Sequence, residues 1–229
     1  MNAKTHLSPE EIFASGLTKT EVGTSQARPA IQWNPPTPRS GLLGVWDRFV
    51  GPGATRAEIW LQVAIPLIAG LLAAMWPRWT GLGWPAWQWV VAGLLAVDTV
   101  GGVITNSTNT AKRWYHRAGQ TSREHLGFVA VHLLQLMVVG WIFRSQDWVF
   151  VFGLYAFLMV GATWIVSSPK YLQRPVASTL YLVTLVGMLN PALHTPGLEW
   201  FVPIFFLKLF VSHLPMEAPL ASEAQEVNP

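Results

Sequence analysis

The stretch from Asp98 to His132 reads DTVGGVITNSTNTAKRWYHRAGQTSREHLGFVAVH, and an apolar run leads into it and another follows it. It contains one carboxylate within an apolar run, two Asn, several hydroxyl groups, four cationic side chains and three of the six His. A charged group in hydrocarbon is costly, so Asp98 must face protein or a water-filled cavity. This stretch therefore predicts two membrane helices joined by a short polar segment.

The polar side chains of this stretch would share one face if the chain from Asp98 to His116 were a single continuous helix. At about 100° per residue they fall within a sector of about 80°; they are Asp98, Gly102, Asn106, Asn109, Arg113 and His116. We expect this polar stripe to begin inside the hydrocarbon and to emerge into water. His125 and His132 are seven residues apart and would share one face of the next helix.

The composition is that of an integral membrane protein. Hydrophobic residues make up 51% of the chain and charged residues only 12%, against about 25% charged residues in soluble domains. Thirteen Trp suit aromatic belts at the membrane surfaces. Cysteine is absent, which excludes disulfides, cysteine metal sites and thiol catalysis. The net charge of +3 gives no reason to expect a nucleic-acid partner.

Hydropathy divides the chain into three parts and predicts an all-α, polytopic membrane helix bundle of about six transmembrane helices. Residues 1–57 are an extension with a predicted helix start at Ser8, a Pro-rich stretch at 22–40 and an amphipathic, interfacial helix at 41–50. Residues 58–215 form the bundle, and residues 216–229 a polar tail. The predicted spans are approximately 58–76, 84–105, 125–143, 148–168, 174–190 and 198–214.

The distribution of Lys and Arg predicts the orientation of the bundle. With six spans, twelve of the fifteen Lys and Arg fall on one side of the membrane, namely Lys4, Lys19, Arg28, Arg39, Arg48, Arg56, Lys112, Arg113, Arg117, Arg123, Lys170 and Arg174. The opposite loops carry only Arg78 and Arg144. Because cytoplasmic loops are enriched in Lys and Arg, this bias places both termini in the cytoplasm of a bacterial-type inner membrane.

The candidate site residues come from the polar stripe and from polar groups inside other spans. Candidate catalytic residues are His116, His125 and Asp98, as acid–base or orienting groups. Candidate substrate-binding residues are Asn106, Asn109, Arg113, Arg117, His132 and Lys208. The plainer interpretations are that the amides only bond helices, that the basic cluster only sets topology, and that Lys208 extends to the inner membrane surface. No metal site is predicted.

Two functions of different classes are compatible with these residues. The first is an enzyme at the cytoplasmic leaflet that acts on an anionic lipid or isoprenoid, with membrane lipid as its partner. The alternative is an accessory subunit of a larger respiratory or photosynthetic complex that contacts haem, pigment or quinone. In that case residues 1–57 would contact other subunits, and His132 and His213 are the candidate axial ligands.

Overall fold

The structure is a computed structural model that describes residues 33–218, and these residues form helices and no strand. The helices are α1 (Gly41–Val50), α2 (Arg56–Thr80), α3 (Ala86–Ser107), α4 (Asn109–Tyr115), α5 (Ser122–Ala130), α6 (Leu133–Ile142), α7 (Trp148–Ser167), α8 (Lys170–Gly187) and α9 (Phe201–Phe206). A π-helical segment, Leu207–His213, continues α9, and we call Phe201–His213 the C-terminal helix. A 3₁₀ turn covers Pro191–Leu193.

Within residues 33–218, four helices are long and apolar enough to cross a membrane. They are Arg56–Thr80, Ala86–Ser107, Ser122–Ile142 and Trp148–Ser167, where α5 and α6 together make the third. Each coincides with a span predicted from hydropathy, so the all-helical membrane architecture is confirmed to this extent. The two remaining predicted spans correspond to α8 and to the C-terminal helix, which is apolar but shorter.

The C-terminal helix lies at the centre of the bundle and packs against α3, α7 and α8. Its Phe201, Phe205, Phe206, Leu209 and Phe210 are no more than 1% exposed. A helix that is apolar on every side is expected to be enclosed by other helices. Since protein surrounds it, the C-terminal helix need not match the thickness of the lipid.

Helices α2 and α3 form a closely packed hairpin at the edge of the bundle. A Cβ on Gly93 would lie 3.0 Å from the carbonyl oxygen of Gly70, so glycine at both positions permits this approach. The opposite face of α2 is apolar and exposed, with Trp60 at 71% and Leu71 at 68%. An exposed apolar face of this kind is suited to contact with lipid tails.

The two ends of the bundle differ in their side chains. At one end Gln88 donates a hydrogen bond to the carbonyl of Ile142, and the Trp84 and Phe143 rings lie 4.8 Å apart. We call this the tryptophan end. The opposite end, which carries α4 and the N-terminus of α8, we call the basic end.

Helix α1 confirms the helix predicted at 41–50 and is attached to the basic end. The Tyr115 hydroxyl donates a hydrogen bond to the carbonyl of Phe49 at 2.9 Å. Gly51, with φ +93°, lies directly against the backbone of Thr110, where any side chain would collide. The apolar face of α1 points outward, with Leu42 89% and Val45 64% exposed. This is the arrangement expected of a helix in the membrane interface.

The last part of the Pro-rich stretch lies within the described residues. Residues 33–40 contain no regular secondary structure, as expected for their part of the Pro-rich stretch. The predicted helix start at Ser8, the rest of that stretch and most of the predicted polar tail lie outside the described residues.

The single continuous helix expected from Asp98 to His116 is wrong. Helix α3 ends at Ser107, Thr108 is extended with φ −76° and ψ 149°, and α4 begins at Asn109. The Thr108 hydroxyl donates to the carbonyl of Thr105 at 2.8 Å and accepts from the amide of Ala111 at 3.2 Å. Such side-chain bonds to the backbone compete with the helix and cap the next one.

Candidate functional site

An ion pair lies near the middle of the bundle. The Lys208 Nζ is 3.0 Å from Asp98 Oδ2, and the Gln135 amide donates a hydrogen bond to the same oxygen. The Lys208 side chain is 4% exposed, whereas that of Asp98 is 51% exposed. Asp98 lies nine residues, or about 13 Å, from the end of α3. The expectation that Asp98 has a charged or hydrogen-bonding partner is confirmed.

Lys208 reaches Asp98 by crossing the surface of Gly102. A Cβ at Gly102 would overlap the Cε, Cδ and Cγ atoms of Lys208, so only glycine leaves this path open. Side chains on a helix tilt toward its N-terminus, and for the C-terminal helix that direction leads away from the basic end. The interpretation that Lys208 extends to the inner membrane surface is therefore wrong.

A cavity of about 660 Å³ borders this ion pair. Its walls come from α2, α3 and the α5–α6 span, with Phe49 of α1, Tyr115 of α4 and the side chain of Lys208, and most of the lining is apolar. The polar lining residues, apart from Tyr115, are Gln62, Asp98, Thr105, Asn106, His132, Gln135 and Lys208. We call this space the membrane cavity.

The membrane cavity is bordered by side chains that are exposed on the outer surface of the bundle. Leu94 of α3 is 63% exposed, and Val131 and Leu134 of the α5–α6 span are 60% and 66% exposed. All three line the cavity. The cavity is therefore open to the outer surface of the bundle between α3 and the α5–α6 span, two helices that are long and apolar enough to cross a membrane.

Two amide side chains in the cavity wall have unsatisfied atoms. Within residues 33–218, Nε2 and Oε1 of Gln62 and Oε1 of Gln135 are buried and have no hydrogen-bond partner. Gln62 is only 7% exposed. A buried polar group without a partner costs about 1–3 kcal/mol. Neither Gln62 nor Gln135 was predicted as a site residue, although each is a polar side chain inside an apolar run, the same signal that identified Asp98.

Three His from distant parts of the sequence meet at the basic end. The rings of His116 and His125 stack with their centroids 4.6 Å apart, and His125 Nδ1 is 3.4 Å from His213 Nε2. The His116 Nε2 donates a hydrogen bond to the carbonyl of His213 at 3.0 Å. We call these three residues the histidine cluster. His213 was predicted only as an axial ligand, and the fold instead places it beside His116 and His125.

His116 is held in its neutral form. Burial lowers its pKa to about 3, and the nearby His125 and Lys112 contribute in the same direction. A neutral His116 with its proton on Nε2 fits the hydrogen bond to the His213 carbonyl. Within residues 33–218 there is no group of three or more His, Cys, Asp or Glu that could hold a metal ion.

Tyr115 and Phe128 stand between the histidine cluster and the membrane cavity. Their ring centroids are 6.3 Å apart, and both residues line the cavity and a pocket of about 210 Å³ beside His125 and His213. The predicted site residues thus divide into two groups. Asp98, Asn106, His132 and Lys208 line the membrane cavity, whereas His116, Arg117 and His125 lie at the basic end.

The remaining predicted residues lie apart from both groups. Asn109 is exposed at the start of α4. Arg113 is 2% exposed, and burial lowers its pKa while the carboxylate of Glu58 opposes that shift. Glu58 also accepts a hydrogen bond from the Thr110 hydroxyl at 3.2 Å. These contacts join α4 to α2. Arg113 is therefore buried in the packing between helices and does not lie on an open binding surface.

Lys112, from the same basic cluster, is likewise buried. It is 4% exposed and donates a hydrogen bond to the carbonyl of Pro215 at 3.0 Å. Burial lowers its pKa to about 8, although Glu217, 3.8 Å away, favours the charged form. Lys112 therefore connects α4 to the segment after the C-terminal helix.

Comparison with known proteins identifies no relative of this chain: no family model, no curated protein and no solved structure matches it.

Proposed function

We propose that this protein binds an amphipathic, lipid-like molecule in the membrane cavity. The observation that carries the proposal is an ion pair and unsatisfied amides inside a largely apolar space that opens between two membrane-crossing helices. The volume of about 660 Å³ falls within the range of about 300–1,000 Å³ that is typical of small-molecule sites. A phospholipid, or an isoprenoid with a polar end, combines the two kinds of surface that this space offers.

The polar part of the ligand would lie against Asp98, Lys208 and Gln62. Lys208 and the amide nitrogen of Gln62 can donate hydrogen bonds, and the half-exposed carboxylate of Asp98 can accept one from a hydroxyl group. The apolar part would leave between Leu94 and Leu134 into the surrounding lipid. Satisfying the buried Gln62 amide would offset its desolvation cost, which gives the ligand a specific reason to enter.

Any acid–base chemistry on this ligand would use Asp98, His132 and Lys208, which line the cavity. The sequence hypothesis gave His116 and His125 the acid–base role in an enzyme acting on an anionic lipid or isoprenoid. In the proposed arrangement they lie beyond Tyr115 and Phe128, on the far side from the ligand. The proposal therefore assigns ligand binding to the cavity and leaves the histidine cluster a separate role.

The proposed topology is six spans with both termini in the cytoplasm of a bacterial-type inner membrane. Its support is the excess of Lys and Arg in the loops assigned to one side. We expect a reporter fused after Arg117 to read as cytoplasmic and one fused after Arg144 to read as external. The reverse result would turn the basic end outward and contradict this topology.

Ligand binding can be tested by native purification in lipid nanodiscs, followed by mass spectrometry of the extracted small molecules. Leu134→Trp should block the opening and reduce the retained ligand severalfold. Val149→Trp is the matched control, because Val149 is 86% exposed on α7 and does not line the cavity. Equal retention in wild type and both variants would refute the proposal. Specific co-purification of other proteins instead would favour the accessory-subunit hypothesis.

A further inference from the structure

Another pocket, of about 480 Å³, lies at the basic end between the α4–α5 loop and the α7–α8 loop. We call it the basic basin. Residues 116–122 form one wall, residues 166–173 form the other, and Leu214 and Met216 close the base. It shares no lining residue with the membrane cavity, so it is a separate space with its own chemistry.

Two cationic side chains line the basic basin. Arg117 is fixed against Trp114: its Nη1 donates to the Trp114 carbonyl at 2.5 Å, and its Cζ lies 3.8 Å from the ring centroid. Lys170 is exposed at the first position of α8. Planar, pre-oriented guanidinium groups and flexible ammonium groups are the usual protein partners of phosphate oxygens.

No carboxylate lines the basic basin within residues 33–218. The acids nearest in sequence are engaged elsewhere. Glu124 caps the start of α5 through the backbone amide of Thr121 at 2.8 Å. Glu217 pairs with Arg174 at 3.2 Å. The positive charge of Arg117 and Lys170 is therefore not neutralised by the wall of the basin.

The N-terminus of α8 adds hydrogen-bond donors to this charge. Helix α8 has 18 residues, and Pro169 at its N-cap provides no side-chain cap. The Leu172 amide donates to the Pro169 carbonyl at 2.8 Å, which leaves the earlier amides of this helix start without a side-chain cap. Uncapped backbone amides at the start of a helix favour an anion. Independently, Gln173 is only 9% exposed, and its Oε1 accepts a hydrogen bond from the Met216 amide at 3.1 Å. Gln173 also lines the basin, so its side-chain amide nitrogen can donate a hydrogen bond to a ligand there.

We propose that the basic basin is an anion site that takes a phosphate group, held by Arg117, Lys170 and Gln173. The two cations, the start of α8 and the side-chain amide of Gln173 can donate hydrogen bonds to phosphate oxygens. The phosphate belongs to a soluble phosphorylated molecule or to a lipid head group, and the two sources share this chemistry. The site does not depend on a ligand in the membrane cavity.

The test uses the full-length protein in nanodiscs of zwitterionic phosphatidylcholine, titrated with inorganic phosphate and followed by calorimetry. Saturable binding would identify a site open to soluble phosphate. In a parallel arm, native mass spectrometry of nanodiscs containing phosphatidic acid would show whether one anionic lipid is retained in preference to phosphatidylcholine. Retention of the lipid without binding of free phosphate would identify the head group as the source.

The variants Arg117→Gln and Lys170→Gln should each weaken the observed binding by about tenfold or more, since each removes one charge-assisted contact. Lys170 is exposed, so its substitution leaves the packing of the bundle intact. Arg123→Gln is the matched control, because Arg123 is an exposed cation of α5 that does not line the basin. Absence of both phosphate binding and lipid preference in the wild type would overturn the proposal. An equal loss in Arg123→Gln would also overturn it.

Discussion

Replacing Asp98 and replacing Lys208 should lower the stability of the protein by unequal amounts, although each change breaks the same ion pair. Asp98→Asn leaves the charge of Lys208, whose side chain is 4% exposed, without a carboxylate. Lys208→Met leaves Asp98, which is 51% exposed and still bonded to Gln135. The half-exposed carboxylate of Asp98 can be solvated in the cavity, whereas the buried ammonium of Lys208 would have neither a charged partner nor solvent.

The magnitudes follow from these burial differences. Removing one partner of a buried ion pair costs about 3–5 kcal/mol, and the exposure of Asp98 argues for the lower limit, about 3 kcal/mol, for Asp98→Asn. Lys208→Met should cost about 1 kcal/mol, the net value of a hydrogen bond. The double variant replaces two charges by neutral groups and should cost about 1 kcal/mol, which gives a coupling energy of about 3 kcal/mol.

The assay is thermal unfolding in nanodiscs, followed by the intrinsic fluorescence of the thirteen Trp. At about 2–4 °C per kcal/mol for a chain of this size, Asp98→Asn should lower Tm by about 6–12 °C. Lys208→Met and the double variant should each lower it by about 2–4 °C. Equal losses in the two single variants, or strictly additive losses in the double variant, would refute the account of a buried cation that depends on Asp98.

Three further changes probe neighbouring features. Gly102→Ala should displace the Lys208 side chain and lower Tm, whereas Gly153→Ala, with nothing within 4 Å of its Cβ position, should not; equal effects would contradict the path assigned to Lys208. The pKa of His116 is about 3 in the folded protein against an ordinary 6.5, so acidification below pH 6.5 should favour unfolding by up to about 1.4 kcal/mol per pH unit. His116→Gln should reduce that dependence in melts compared at pH 7.5 and pH 5, and an unchanged pH profile would count against a buried neutral His116. Glu58→Gln should cost about 1–2 kcal/mol in unfolding experiments, because one carboxylate oxygen accepts from the Thr55 amide and caps α2 while the other accepts from the Thr110 hydroxyl of α4, and a single amide oxygen cannot replace both; no loss would show that these contacts are dispensable.

The sequence located the elements that depend on local composition. The runs at 84–105 and 148–168 became Ala86–Ser107 and Trp148–Ser167, and the amphipathic run at 41–50 became Gly41–Val50. Apolar length and periodicity are properties of consecutive residues, so they can be read before the chain is folded. The sequence also predicted that Asp98 has a partner, because an unpaired carboxylate in hydrocarbon is costly whichever group would pair with it.

The break at Thr108 lay beyond this kind of inference. A helical wheel assumes that the helix continues, and it placed Asn109 and Arg113 on the same face as Asp98. The Thr108 hydroxyl bonds to the backbone on both sides of the break, where α3 ends and α4 begins. The residues after the break therefore no longer share a face with Asp98. As a result Arg113 lies near Glu58, and Asn109 is exposed.

By itself, then, the sequence determined the all-helical class of the protein, the positions of the four helices that are long and apolar enough to cross a membrane, and the presence of polar groups within apolar runs. The tertiary structure decided which polar groups meet: Lys208 with Asp98, Gln62 with the same cavity, and His213 with His116 and His125. These partners are separated by up to 110 positions along the chain, as Asp98 and Lys208 are. The physical reason is that contacts across a bundle depend on which faces of which helices pack together. Here the close approach of Lys208 to Gly102 and the central position of the C-terminal helix set that packing. Both depend on residues that are far apart in the sequence.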